Sequence, residues 1–268
     1  NYSDLALQFS TLELDRVPNP GPLTPEHVIR TKAFGVVFAD EDDADQDSTY
    51  QRQLQDYTQN YQAYFDGHQQ GETCLNPAPN YAIWKNQGAI AFGRSQKEVA
   101  IIEDLNQHTF EAILRAEALG GYQALGSQDL FDIEYWELEQ AKLKKAGNAP
   151  ALSGKTILVC EQDSEFRDAC VTQLQSQGAE VFVFQDEACD RDFIDSELME
   201  AVRRCGGIDG LIVNMALQQS AQLLAAANVF LQQGIDPVVL FLGDHDSSEI
   251  TAKELQAQGV RSNYLEGH

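Results

Sequence analysis

Leu152-Ser153-Gly154-Lys155-Thr156-Ile157-Leu158-Val159-Cys160 runs directly into Glu161-Gln162-Asp163-Ser164-Glu165-Phe166-Arg167, and this stretch decides the fold. Thr156–Cys160 is short, apolar and rich in strand-forming side chains, so it reads as a buried strand. The polar residues after it open a helix expected over Ser164–Gln177. The same strand-then-helix unit recurs to the end of the chain. Further strands are expected at Glu180–Phe184, Gly210–Val213, Pro237–Leu242 and Arg261–Leu265, and helices at Asp195–Cys205, Gln218–Gln232 and Ser248–Gln258. Short apolar strands alternating with helices imply a parallel sheet covered on both faces. Residues 152–268 therefore read as a doubly wound α/β domain.

Four landmarks in this half carry a family resemblance. Leu152 through Val159 resembles the opening strand of the short-chain dehydrogenases, and Gly178-Ala179-Glu180-Val181 stands where their second strand begins. Gly206-Gly207-Ile208-Asp209-Gly210-Leu211-Ile212-Val213-Asn214 resembles their fourth strand. Glu254-Leu255 through Gly259-Val260-Arg261-Ser262-Asn263 is similar to their late "EL…GIRVN" segment. The resemblance implies a Rossmann-like domain that binds NAD(P) and carries out redox chemistry.

The positions that would do so depart from the family. A dinucleotide fold needs glycines after its first strand, so that backbone N–H groups at a helix start can approach the pyrophosphate. Where the family has the three glycines of its TGxxxGxG loop, this chain has Glu161, Glu165 and Arg167. Two carboxylates would then meet a diphosphate, and like charges ~4–6 Å apart oppose binding by roughly 1–4 kcal/mol each. The family's acid/base Tyr, with a Lys four residues later, has no counterpart: after Pro150 the only tyrosine is Tyr264. The chain between Leu242 and Lys253 is shorter than the family pattern, which implies loss of the helix that carries that pair. Gln185 stands at the ribose-binding acid, with Asp186 one residue late, and Asn214 ends the fourth strand. Asp186 and Asn214 are read as vestiges, so no cofactor is expected; NAD(P) is the cofactor if the site works.

Upstream, the small residues and proline of Gly147-Asn148-Ala149-Pro150-Ala151 mark a domain break. This places a smaller α/β domain at 1–148 and the Rossmann-like domain at 152–268. Residues 1–23 hold Pro18, Pro20 and Pro22 and are expected to be irregular. Thr24-Pro25 offers an N-cap and a first-turn proline for a helix toward Lys32. A buried strand is expected over Phe34–Phe38, a solvated acidic loop over Asp40–Asp47, and a Tyr- and Gln-rich helix over Ser48–Phe65. Strands Tyr81–Trp84 and Ala89–Phe92 precede a long amphipathic helix from Ser95, whose Ser95 and Glu98 suit a capping box. A last helix is expected over Phe131–Lys145. The plain reading of Tyr57, Tyr61 and Tyr64 is partial core burial, with an interaction face the alternative.

Three segments of this half carry a second resemblance: Thr24-Pro25-Glu26-His27-Val28-Ile29-Arg30-Thr31-Lys32, Tyr61-Gln62-Ala63-Tyr64-Phe65, and Phe131-Asp132-Ile133-Glu134-Tyr135-Trp136-Glu137-Leu138-Glu139-Gln140-Ala141-Lys142-Leu143. Together they resemble the region before the dehydrogenase half in bifunctional rhamnulose-1-phosphate aldolase/alcohol dehydrogenase proteins. There a zinc-dependent class II aldolase half comes first. The resemblance implies that Asn1, which is not a Met, lies within the aldolase half of a longer protein. Asn86-Gln87-Gly88-Ala89-Ile90-Ala91-Phe92-Gly93 resembles the aldolase strand pair that supplies a zinc histidine. Gln87 occupies that position, an amide is a poor zinc ligand beside imidazole, and the chain has no HxH pair. No metal is expected here. Reading His27 as an ordinary solvated histidine is preferred to a phosphate contact. Gly243-Asp244-His245-Asp246 reads as a polar loop before a cation site.

The net charge of −24 argues against nucleic acid, since an acidic surface repels phosphate backbones. Solubility is its plain explanation; a saline host or a basic partner are alternatives. No apolar run approaches the ~20 residues of a membrane span. Cys74, Cys160, Cys170, Cys189 and Cys205 form no CxxC pair and read as free thiols, which points to the cytoplasm. The expectation is a non-catalytic structural or interaction portion of an aldolase/dehydrogenase-like protein, forming a homo-oligomer or contacting an upstream aldolase domain. The alternative is part of a sugar-phosphate aldolase/oxidoreductase whose active site lies upstream or binds cofactor weakly.

Overall fold

The computed structural model describes residues 3–12, 21–40, 45–144, 150–161, 163–184, 191–214, 238–242, 256–257 and 261–265. The chain divides into two compact units, Asn1–Gly147 and Asn148–His268.

In the first unit, α1 (Asp4–Ser10) stands where irregular chain was expected. Ser3 Oγ accepts from Ala6 N to start it, and Ala6 and Phe9, three residues apart, bury one face. Pro18, Pro20 and Pro22, on which that expectation rested, follow the helix in sequence. α2 (Pro25–Thr31) begins as expected, with Thr24 as N-cap and Pro25 in the first turn. β1 (Val36–Phe38) pairs in parallel with β2 (Tyr81–Trp84), and β2 pairs antiparallel with β3 (Gly88–Ala91). Gly35, just before β1, is required by crowding: a Cβ there would lie 2.5 Å from the Tyr81 ring. α3 (Gln46–His68) starts inside the expected acidic loop, because Asp45 caps it by accepting from Ser48 N.

α4 (Gln96–Leu119) opens with Ser95 Oγ accepting from Glu98 N, but Glu98 Oε2 accepts from Arg94 N. Its Ile102, Phe110 and Ile113 pack with Ala6, Phe9, Tyr81 and Ile83, and Phe9 stacks on Phe110 at 4.1 Å. The single helix expected over Phe131–Lys145 is instead two, α5 (Ser127–Glu134) and α6 (Glu137–Lys144). Tyr135 breaks it: the residue leaves helical geometry, its ring stacks on Phe131 at 4.4 Å, and its hydroxyl is used elsewhere in the core. Gln140 Nε2 donates to Glu134 O and so closes the end of α5.

The second unit is a five-stranded parallel sheet in the order β5-β4-β6-β7-β8. Its strands are β4 (Thr156–Cys160), β5 (Glu180–Phe184), β6 (Gly210–Asn214), β7 (Val238–Leu242) and β8 (Arg261–Leu265). α7 (Ser164–Ser176) joins β4 to β5, and α8 (Arg191–Cys205) joins β5 to β6. Counted within the unit the order is 2-1-3-4-5, one of the common doubly wound orders, and β5 is an edge among the described residues. Asp209 sets the register where β4 and β6 begin: it accepts from Thr156 N at 2.9 Å and pairs with Lys155 Nζ at 2.7 Å. Gly178 turns the chain into β5 with φ +89, packed against Pro150, where a side chain would be strained and crowded. The helix expected over Gln218–Gln232, the loop Gly243–Asp246 and most of the helix over Ser248–Gln258 fall outside the described residues.

Candidate functional site

In a doubly wound sheet, ligands bind beyond the carboxyl ends of the strands where the chain switches direction. That point lies between β4 and β6, with Cys160 opposite Val213. Glu161, the first residue past β4, is buried, and its Oε1 accepts from Asp163 N at 2.9 Å. Asp163 is the N-cap of α7, and its Oδ1 accepts from Glu165 N at 2.9 Å and Phe166 N at 3.1 Å. Backbone donors at a helix start are what a diphosphate would need. Here carboxylates of the same loop already occupy them and answer the positive end of the helix dipole. Glu165 is exposed and Phe166 is 45% exposed. Arg167 is half-buried, with Nε 3.4 Å from Asp168 Oδ1. Burial and the nearby Glu161 push the Cys170 thiol upward, away from the thiolate form. Asn214 ends β6 opposite Leu242, whereas Asp186 lies outside the described residues.

In the first unit, Gln87 is exposed in the turn between β2 and β3, and its N–H donates to Trp84 O at 2.9 Å. Among the described residues, no group of three His, Cys, Asp or Glu side chains could hold a metal ion. His27 differs from the solvated residue expected. It is buried, its Nδ1 lies 2.6 Å from Thr24 Oγ1, and its Nε2 closes no hydrogen bond. Burial, and then the nearby His108, hold its pKa below the usual histidine range.

Among the described residues, a cluster of buried ionisable groups lies in the first unit where sequence reasoning gave no site. Glu134 of α5 is 1% exposed and Lys32, just after α2, is 6% exposed. The Lys32 ammonium sits over the Tyr61 ring, 3.8 Å from its centre, and donates to Asn76 O. Tyr61 donates to Glu134 Oε1 at 2.7 Å, and its oxygen lies 3.0 Å from Tyr135 Oη. Tyr135 Oη accepts in turn from Leu75 N at 3.3 Å. The buried Tyr64 hydroxyl and the Ala33 N–H also face the Glu134 carboxylate and favour its charged form.

Burial dominates the charge states here. It lowers Lys32 to about 8 against the opposing pull of Glu134, and raises Glu134 above the usual carboxylate range against the Tyr61 hydrogen bond and Lys32. Tyr57, Tyr61 and Tyr64 are held well above the ordinary phenol range, mainly by the same burial, and Tyr135 is pushed up to about 12. The backbone at Lys32, with φ 68 and ψ 174, is a conformation that normally requires glycine. One signal was available in sequence: Glu134 is a carboxylate set within an apolar and aromatic run from Phe131 to Trp136.

Residues 1–143 match the family described as "Aldolase class II, second domain". The uncharacterized oxidoreductase YuxG of Bacillus subtilis (strain 168) is 23% identical over 271 residues, covering 99% of this chain and 39% of the relative. The chain thus spans about two-fifths of that protein's length. Among solved structures, a putative short-chain dehydrogenase/reductase from Burkholderia xenovorans is 16% identical. The match covers 44% of this chain and 75% of that one, with a TM-score of 0.32. A short-chain dehydrogenase from Oenococcus oeni is 13% identical, with 42% of this chain and 78% of its own covered and a TM-score of 0.26.

Proposed function

Because the chain belongs, through residues 1–143, to the class II aldolase second-domain family, we propose that it is a non-catalytic scaffold or interaction portion of an aldolase/dehydrogenase-like protein. The carrying observation is the occupied start of α7. Glu161 and Asp163 accept the N–H groups that a diphosphate would need, so the residues present do not fit NAD(P). A diphosphate would have to displace these carboxylates and then face Glu165. The sheet remains as a folded platform, and its role is structural: contact with an aldolase domain of the longer protein or with a second copy. Incubation with NAD⁺ and lactaldehyde or a small sugar, followed at the nicotinamide absorbance, tests this. No reduced cofactor should form; turnover above the protein-free background overturns the reading.

The second reading is an enzyme whose active site lies outside the matched 39% of the relative's length. Zinc content and aldol cleavage by the longer protein distinguish the two, a zinc-dependent aldolase favouring this second reading.

A further inference from the structure

α2 is only seven residues long and is held by packing against two other helices of the first unit. Val28 clusters with Ala33 and with Leu130 of α5, and Ile133 packs against them. One residue earlier, His27 is 7% exposed and within electrostatic reach of Asp104 and His108 on α4. Its Nδ1 lies 2.6 Å from Thr24 Oγ1, the same oxygen that caps α2 by accepting from His27 N. Its Nε2 is buried and closes no hydrogen bond.

A neutral imidazole suits this setting, because the Thr24 hydroxyl can serve either tautomer at Nδ1. A second proton does not. The ring would then be a buried cation donating from both nitrogens, with an acceptor for Nδ1 alone, and burying such a charge is strongly disfavoured against leaving it in water. The surrounding charges offer no remedy. Glu26, on α2 itself, is 2.5 Å from Arg30 and paired with it. On α4, Asp104 and His108 are both exposed, and the histidine repels a second imidazolium. On α5, Asp129 and Asp132 are exposed and Glu134 accepts from Tyr61, while Lys32, just past α2, sits on the Tyr61 ring.

We infer that His27 is an acid-sensitive pin: neutral, it holds α2 against α4 and α5, and on taking up a second proton it releases α2 while the core around α4 stays folded. Release uncovers Val28 and Ile29, both buried in the packed state. The direction follows from linkage. Burial, ahead of His108, holds the packed imidazole below its ordinary 6.5, against the pull of Glu26 and Asp104. As pH falls below 6.5 the released state gains a proton that the packed state refuses. Release therefore becomes more favourable by up to about tenfold per pH unit, until the packed ring titrates in turn. Glu134 works the other way: burial raises it, so its protonation favours the packed state. The inference concerns the first unit alone and stands apart from the dinucleotide reading.

Hydrogen exchange read by mass spectrometry tests the inference on the intact chain. Protection of the peptide over Glu26–Thr31, corrected for intrinsic rates, should fall about five- to tenfold between about pH 7 and about pH 5.5. Protection of α4 around Ile102–Ile113 should not change. His27→Gln, which carries no titratable group, should remove the step. Nitrogen NMR of the wild type gives a second reading that does not depend on the variant's folding: at about pH 6, where an ordinary histidine is mostly charged, the His27 ring should still be neutral. Four outcomes overturn the inference: no fall in protection of α2, an equal fall in α4, a step that survives in His27→Gln, or an imidazolium at His27 at that pH.

Discussion

Tyr61 is the residue on which the first unit's polar core turns. Its ring carries the Lys32 ammonium and its hydroxyl serves both Glu134 and Tyr135. Tyr61→Phe keeps the ring and removes the donor from a buried carboxylate, which should cost about 1–3 kcal/mol in urea unfolding at pH 7. The pH dependence follows from Lys32. In the unfolded chain its amine titrates near 10.5, and in the folded protein near 8. Between those values the unfolded state holds the extra proton, so this group's contribution to stability rises with pH. Below about pH 8 the penalty for the buried ammonium is fully present. Wild type should therefore gain stability relative to Lys32→Met from pH 8 toward 10.5, checked by denaturant midpoints at each pH. Lys32 and Glu134 were hard to find in sequence because their roles depend on contacts with Tyr61 and Asn76, 29 and 44 residues from Lys32; only Glu134 was marked, by its apolar neighbours.

At the scale of elements, caps and crowding decide where helices and strands begin. Asp163 satisfies two N–H groups of α7, so Asp163→Ala should lower stability by about 1 kcal/mol in thermal or urea unfolding. Gly35→Ala should cost roughly 1–3 kcal/mol, because its methyl group meets the buried Tyr81 ring. The regular strands of the second unit were legible because each is a short apolar run between turns: Thr156–Cys160, Glu180–Phe184 and Arg261–Leu265 lie as expected. Two features were less legible for physical reasons. α1 rests on a local serine cap and two apolar residues, a weak signal beside three prolines. The break at Tyr135 comes from tertiary hydrogen bonds, while the sequence around it has good helical periodicity. The replaced glycines at Glu161, Glu165 and Arg167 were visible at once, but that Glu161 folds back to accept from Asp163 N required coordinates.

For the whole molecule, two compact units each have their own sheet, and the chain carries a net charge of −24. No described helix is long and apolar enough to cross a membrane. Repulsion among the carboxylates is screened by salt, so raising NaCl from about 10 mM to about 500 mM should increase the melting temperature. The doubly wound parallel sheet of the second unit makes the nicotinamide nucleotides the natural ligands to challenge. Isothermal titration of the intact chain with NADH and with NADPH is the most direct test. Glu161 and Asp163 at the start of α7 should leave no saturable heat at micromolar protein; a dissociation constant in the micromolar range for either nucleotide would contradict the proposed loss of the site.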